Sequence, residues 1–404
     1  MILVLVHQEF YELTLSCAER LRVGQEGERM QRVFGAVLGF LAVACVAVTS
    51  AWAGEPIVIG LFAPLTGERA ALGIRFTEGV HLYVDALNAA GGIDGRLIEL
   101  RIDDTRAAPR EAANIAQRLA GDPKVLATIG AWSSTESMAA APILGDAHLT
   151  QVAPTASHPD YTSISPYQFR ITNTQDGISL IHADMLVTQL HMKRIAMLYF
   201  QDDWGNSVDR TTTAAIAKLG GAQIVMREAI NPETRDFRAL LTKLRAAAPD
   251  GVFIATPYAE SAVFMQQYRQ SGLTYPVAAT DTLNDPKFVE LAGAAADGIV
   301  MPTPFDPDSP AAAAFTKAYG ERFHKRPDYF SAYSHDAIMV ITDAAKSLLD
   351  SGKPLTRESL RDAIADAPPR PGVAGPVKFD AKRNPEMRPT MLITVAGGVY
   401  KPYP

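Results

Sequence analysis

The 404 residues carry 38 Lys and Arg against 44 Asp and Glu, a formal charge of −6, with 48% hydrophobic and 20% charged residues. Such a balance excludes a disordered chain, which lacks the apolar content to bury a core, and it leaves no basic footprint for nucleic acid. The length suffices for two cores of roughly 100–150 residues each.

In chain order, the first 53 residues differ from the rest. Met30-Gln31-Arg32 precedes an apolar run from Val33 to Val48, then Ala51-Trp52-Ala53 before Gly54-Glu55-Pro56. A basic start, an apolar centre and small residues two apart form a secretory signal peptide pattern, and the run falls short of the roughly 20 residues that span a bilayer. Residues 30–53 are therefore expected to be a signal peptide cut after Ala53, with translation from Met30 and residues 1–29 an upstream extension outside the mature fold. Lipoprotein processing at Cys45 is the rival, disfavoured because Ala42 stands where such sites carry Leu. Both cysteines, Cys17 and Cys45, lie upstream of the cut, so the mature chain is expected to have no disulfide and to be held by burial.

From Ile57, short apolar runs alternate with helical patterns. Strands are expected at Ile57–Ala63, Leu97–Ile102, Val125–Ile129 and Thr150–Ala153. The first helix carries Phe76, Val80, Tyr83, Val84 and Leu87 and is stopped by Gly91-Gly92; others lie near 110–120 and 134–145. A second series of strands is expected at Arg194–Phe200, Ala222–Met226, Gly251–Ala255, Val277–Thr280 and Gly298–Met301. This βαβ rhythm predicts parallel sheets covered on both faces. The tail breaks it, with helices near 310–325, 330–351 and 356–366, then strand-like runs at Val377–Phe379 and Thr390–Val395. Such an ending suits a chain that re-enters its first lobe and finishes in its second.

Several motifs carry a family resemblance. Ile59-Gly60-Leu61-Phe62-Ala63-Pro64-Leu65-Thr66-Gly67 is followed by Asn88-Ala89-Ala90-Gly91-Gly92-Ile93-Asp94-Gly95-Arg96. Ile129-Gly130, Ser133-Ser134, Ala153-Pro154-Thr155-Ala156-Ser157 and Asp203-Trp204-Gly205 come next. In order and spacing, from about residue 56 to 400, the chain resembles the leucine/isoleucine/valine-binding proteins of branched-chain amino acid ABC transporters. The resemblance implies the type I periplasmic binding protein fold: α/β, with two doubly wound parallel-sheet lobes joined by three crossovers. Those crossovers are placed near 172–175, 302–306 and 372–376, giving 54–173 and 305–373 as lobe 1 and 174–304 and 374–404 as lobe 2.

Candidate ligand contacts follow partly from physics. Doubly wound sheets bind ligands beyond the carboxyl ends of their strands, here the loops after Ile129, Ala153, Ala255 and Thr280. Ser133-Ser134-Thr135-Glu136 reads as a capping box, leaving Ser134 in the first turn, where free N–H groups favour an anion. Read alone, these hydroxyls merely cap a helix; the resemblance makes Ser134 a carboxylate ligand. It likewise assigns Ser157 to the ligand's α-carboxylate and ammonium, and Thr155 to a contact through its carbonyl. On the second lobe it implies Tyr258, and Asp281 as the partner of the ammonium, with Asp where the family commonly has Glu. Asp285 before Pro286 is the better helix cap, which leaves Asp281 without a structural task. Leu72, Trp132 and Trp204 are expected on the side-chain pocket, although a tryptophan is as often core.

The eight histidines show no zinc-type spacing, and no nucleophile elbow, P-loop or dinucleotide turn appears. Asp202-Asp203 could border the cleft but reads as solvated loop rather than general acid. No metal, cofactor or catalytic residue is expected. The sequence thus points to a non-enzymatic, monomeric, periplasmic receptor that binds a small amino acid and docks on ABC permease subunits. An aromatic or aliphatic carboxylate, or an amide, is the alternative ligand; a ligand-sensing regulatory domain is the alternative role.

Overall fold

The computed structural model describes residues 54–232 and 234–404, of which Pro56–Pro404 form one compact unit. The expected signal peptide, its cut after Ala53, Cys17, Cys45 and the upstream extension lie outside the described residues.

The first sheet forms from β1 (Ile57–Ala63), β2 (Ile98–Asp104), β3 (Val125–Ile129), β4 (Thr150–Ala153) and β5 (Gln168–Arg170), all parallel, in the order β2-β1-β3-β4-β5. Every residue of β1 and β4 is buried, as a sheet covered on both faces requires. The covering helices are α1 (Ala70–Ala89), α2 (Pro109–Gly121) and α3 (Ser134–Asp146). The expected glycine stop holds: Gly91 and Gly92 adopt φ of 100° and 74°, and the Gly92 N–H returns to the Leu87 carbonyl at 2.9 Å, which satisfies one of the helix's last acceptors.

After α4 (Gln175–Ala183) the chain builds a second sheet. Its strands are β6 (Arg194–Phe200), β7 (Gln223–Ile230), β8 (Gly251–Ala255), β9 (Val277–Ala279) and β10 (Val300–Thr303), separated by α5 (Asp203–Leu219), α6 (Arg238–Ala247), α7 (Tyr258–Gln270) and α8 (Pro286–Ala292). The remaining helices α9 (Ala313–Phe323), α10 (Tyr329–Asp350) and α11 (Arg357–Ala365) bring the chain back to the first sheet. Sixteen of the 22 residues of α10 are buried, and its Phe330 ring lies 6.1 Å from Phe76 of α1. Arg357 fixes α11 beneath β3, donating to the carbonyls of Val125 at 2.9 Å and Asp122 at 2.7 Å.

A two-stranded ribbon follows, β11 (Arg370–Gly372) with β12 (Gly375–Val377). The strand expected at Val377–Phe379 is thus displaced; Phe379 forms only an isolated bridge with Pro385. Finally β13 (Met391–Ala396) and β14 (Val399–Pro402) add antiparallel to β10, giving the order β14-β13-β10-β9-β8-β6-β7.

The tail before β13 is tied to the first sheet. Arg383 donates to the Thr162 carbonyl at 2.6 Å and the Gln168 carbonyl at 3.2 Å, and Asn173 and Arg388 exchange side-chain and backbone bonds at 2.8 and 3.1 Å. The Arg388 guanidinium pairs with Asp336 of α10 at 2.6 Å, both side chains fully covered. Asp336 also accepts the Val373 N–H at 2.8 Å, so one carboxylate holds helix, ribbon and tail.

Candidate functional site

Both sheets reverse strand order between their first and third strands (β1/β3 and β6/β8), and ligands in such folds collect beyond the carboxyl ends at that switch. A cavity of ≈ 50 Å³ lies there, room for roughly three to five water-sized spheres. From the first sheet, Trp132, Ser133 and Ser134 reach it after β3, Thr155 and Ser157 after β4, and Thr172 after β5. The second sheet contributes Asp202 and Trp204 after β6, Pro257 after β8, and Asp281 and Thr282 after β9. The heads of α4 and α10 complete the wall with Gln175, Ile178, Tyr329 and Phe330.

Ser133 closes the expected capping box: its hydroxyl accepts the Glu136 N–H at 3.1 Å and donates to the Glu136 carboxylate at 2.8 Å. Ser134 is therefore free of capping. Its Oγ accepts the His158 N–H at 3.1 Å, which leaves its O–H to donate, beside the head of α3 where N–H groups lack intrahelical acceptors. Ser157 has the opposite polarity. Its hydroxyl donates to Gln175 Oε1 at 3.0 Å, so its lone pairs remain to accept a donor. Thr155 spends its hydroxyl on the Trp132 carbonyl at 2.5 Å, joining the two loops.

Across the cavity, Asp281 pairs with no cation among the described residues. Removal from bulk water pushes its pKa up to about 6, against the pull of its own and the Thr282 backbone N–H groups. Part of its surface stays uncovered, but it faces the cavity rather than open solvent. Asp202 caps α5, accepting the Gly205 N–H at 2.8 Å, and receives the Thr135 hydroxyl from α3 at 3.2 Å. Desolvation raises it to about 6 as well. None of the lining residues is Lys, Arg or His, and no cluster of metal-binding side chains occurs among the described residues.

Of the eight expected contacts, Ser134, Thr155, Ser157, Asp281, Trp132 and Trp204 line this one cavity; Leu72 and Tyr258 do not. Leu72 falls on the sheet-facing side of α1 and is core, 1% exposed. Tyr258 turns its hydroxyl to the Glu68 carbonyl, while its neighbour Pro257 meets the cavity. Tyr258 instead belongs to a polar seam between the two sheets. Arg69 bonds Glu260 at 2.7 Å, with its guanidinium 5.9 Å from the Trp132 ring centre and 5.6 Å from that of Tyr258. Arg235 grips both Glu68 oxygens at 2.8 and 2.9 Å. Deeper in, Arg75 joins Asp285, the cap of α8, to Asp328, the cap of α10, the latter at 2.7 Å.

Residues 56–398 match the family model described as periplasmic binding protein. The chain belongs to the periplasmic binding protein family. That family consists of substrate-binding proteins rather than enzymes, and the membership implies an extracytoplasmic location. An amino acid binding protein of Pseudomonas aeruginosa is 28% identical over 310 residues, 75% of this chain and 82% of the relative. Among solved structures, a putative branched-chain amino acid ABC transporter protein from Rhodospirillum rubrum is 32% identical with a TM-score of 0.64, covering 86% of this chain and 100% of the other. The branched-chain amino acid substrate-binding protein LivJ of Streptococcus pneumoniae, solved with isoleucine, is 27% identical with a TM-score of 0.79, covering 86% and 98%. The expected type I periplasmic binding protein fold, with its parallel sheets, is the one observed.

The cavity residues that the sequence left unassigned include Gln175, Thr172, Tyr329 and Phe330. Gln175 and Thr172 sit in the crossover placed near 172–175, a position that signals a hinge before it signals a ligand. Tyr329 and Phe330 open a helix whose pattern reads simply as core; nothing in their spacing links them to Ser134.

Proposed function

We propose that this protein is the solute-binding component of an ABC importer, capturing a small α-amino acid, branched-chain or similar, and presenting it to a membrane permease as a monomer. Residues 30–53 serve export. The observation that carries the reading is Asp281: a desolvated carboxylate without a protein cation, sharing a cavity with the Ser134 hydroxyl and the Ser157 lone pairs. An unpaired carboxylate there is costly, and an ammonium group relieves the cost. In this arrangement Ser134 and the head of α3 take the α-carboxylate, Ser157 and the Thr155 carbonyl help to hold the ammonium, and the two tryptophans flank the side chain.

The lobes we infer are those expected from the sequence, with one adjustment. The bonds of Arg383 and Arg388 to residues 162–173 favour a last crossover near 389–390 rather than 372–376. A ligand touching both lobes supplies the differential affinity that favours the closed form. An aromatic acid finds rings on the wall, but its lone carboxylate meets two others and no cation, which disfavours it.

A thermal-shift screen of the common amino acids and benzoate identifies the ligand, since one present at about 100 times its Kd adds roughly 2.7 kcal/mol. Asp281→Ala is then expected to weaken the best α-amino acid at least tenfold and its deaminated analogue far less. Equal losses in isothermal titration rule out the ammonium contact; preference for benzoate rules out the amino-acid reading.

A further inference from the structure

The cavity holds a second carboxylate that an aliphatic amino acid leaves unserved. An α-amino group accounts for Asp281, and the α-carboxylate for the hydroxyl donors and the head of α3. Asp202 then remains on the wall with only neutral donors, the Gly205 N–H and the Thr135 hydroxyl. The cation whose charge acts on it is Arg69, which is committed to Glu260 and forms no ion pair with Asp202 among the described residues. Trp204 stands two residues beyond Asp202, and Trp132 faces the cavity from the other sheet.

We propose that Asp202 is the specificity-determining residue of the site and selects α-amino acids whose side chain carries a cationic nitrogen. The proposal rests on the amino-acid reading above and narrows it. Charge balance is the first argument: two carboxylates and no Lys, Arg or His on the wall ask for more positive charge than one α-ammonium brings. The indole beside Asp202, Trp204, supplies the second, because indoles on a cavity wall attract a desolvated ammonium through their quadrupole. The third is the cost of the alternative. An alkyl side chain laid against Asp202 removes what water reaches it and returns no hydrogen bond, and sites built around such a group reject the analogue lacking its partner. The raised pKa of Asp202 fits a carboxylate still short of a counter-charge. The small cavity favours a short chain over a long one.

Matched isosteres test this. Ornithine and norleucine differ by an ammonium for a methyl, as do 2,4-diaminobutyrate and norvaline. Isothermal titration of the full mature chain is expected to show the amine binding at least tenfold tighter in at least one pair. Asp202→Asn keeps a good helix cap but removes the charge, so the ratio should collapse toward one, mainly by weakening the amine. Norleucine and norvaline binding as tightly as their amines in the wild-type protein overturns the proposal while leaving the amino-acid reading intact, and does so even if the variant folds poorly. So does an unchanged ratio in a folded Asp202→Asn. Failure of all four to bind overturns this proposal, while the amino-acid reading is decided separately by the thermal-shift screen of the common amino acids.

Discussion

Asp281 and Asp202 have carboxyl groups that titrate near 6 in the folded chain but near the ordinary value of about 3.9 when unfolded. The folded protein therefore binds protons first as pH falls, and the cost of burying these two charges is relieved progressively from about pH 7 to pH 4, so the ligand-free protein gains stability as pH falls across that window. Capture of an ammonium needs the ionised forms, so affinity runs the other way. At pH 5 a group of pKa about 6 is roughly nine-tenths protonated, which predicts about a tenfold loss of α-amino acid affinity relative to pH 7.5. Titration calorimetry at the two pH values checks this, and a flat profile removes Asp281 from the contact. At this scale the sequence placed Ser134, Ser157 and Asp281 on loops that follow strands, and the three line one cavity. At Pro257-Tyr258 it is Pro257 that meets the cavity while the Tyr258 hydroxyl turns to Glu68, because a family position locates a loop but not which neighbouring side chain turns inward. Asp202 looked like solvated loop, since its cap partner Gly205 is local while Thr135 arrives from 67 residues away.

Among the elements, the buried strands were legible because uninterrupted apolar runs bounded by turns admit few alternatives. β5 was not: its three residues Gln168-Phe169-Arg170 present polar side chains, buried because Gln168 donates to the Ala141 carbonyl and Arg170 to those of Ala156 and His158. β14 was hidden by exposure and a terminal proline, both features of an edge strand. The ribbon and tail depend on Asp336–Arg388, a pair shut from solvent. Breaking such a pair strands a charge, so Arg388→Ala should cost about 3–5 kcal/mol in urea denaturation. A cost below about 1 kcal/mol, the range of an exposed pair, means the contact is dispensable. Ser133→Ala, which removes one helix cap, should cost only about 1 kcal/mol.

For the whole molecule, the seam between the sheets was invisible in advance. Its partners lie 191, 190 and 167 residues apart, and no periodicity encodes such pairings. Glu260→Gln removes the counter-charge of Arg69 and should depopulate the closed form, raising the apparent Kd of every ligand by one common factor. Two ligands of different affinity measure this; a change in their ratio places Glu260 in the ligand contact instead. Trp132 and Trp204 are the tryptophans of the described residues, and both line the cavity, so ligand should alter intrinsic fluorescence. A silent titration with a proven ligand excludes both rings from contact.

Arg75 clasps the caps of α8 and α10, and the residues directly after the second cap, Tyr329 and Phe330, are part of the cavity wall. The guanidinium thus acts as a rivet that ties the cap beside two wall rings to a carboxylate from the second sheet's side of the chain. Discrimination between solutes is consequently tied to contacts between distant parts of the chain, because part of the surface that meets the solute follows directly on a cap held from afar.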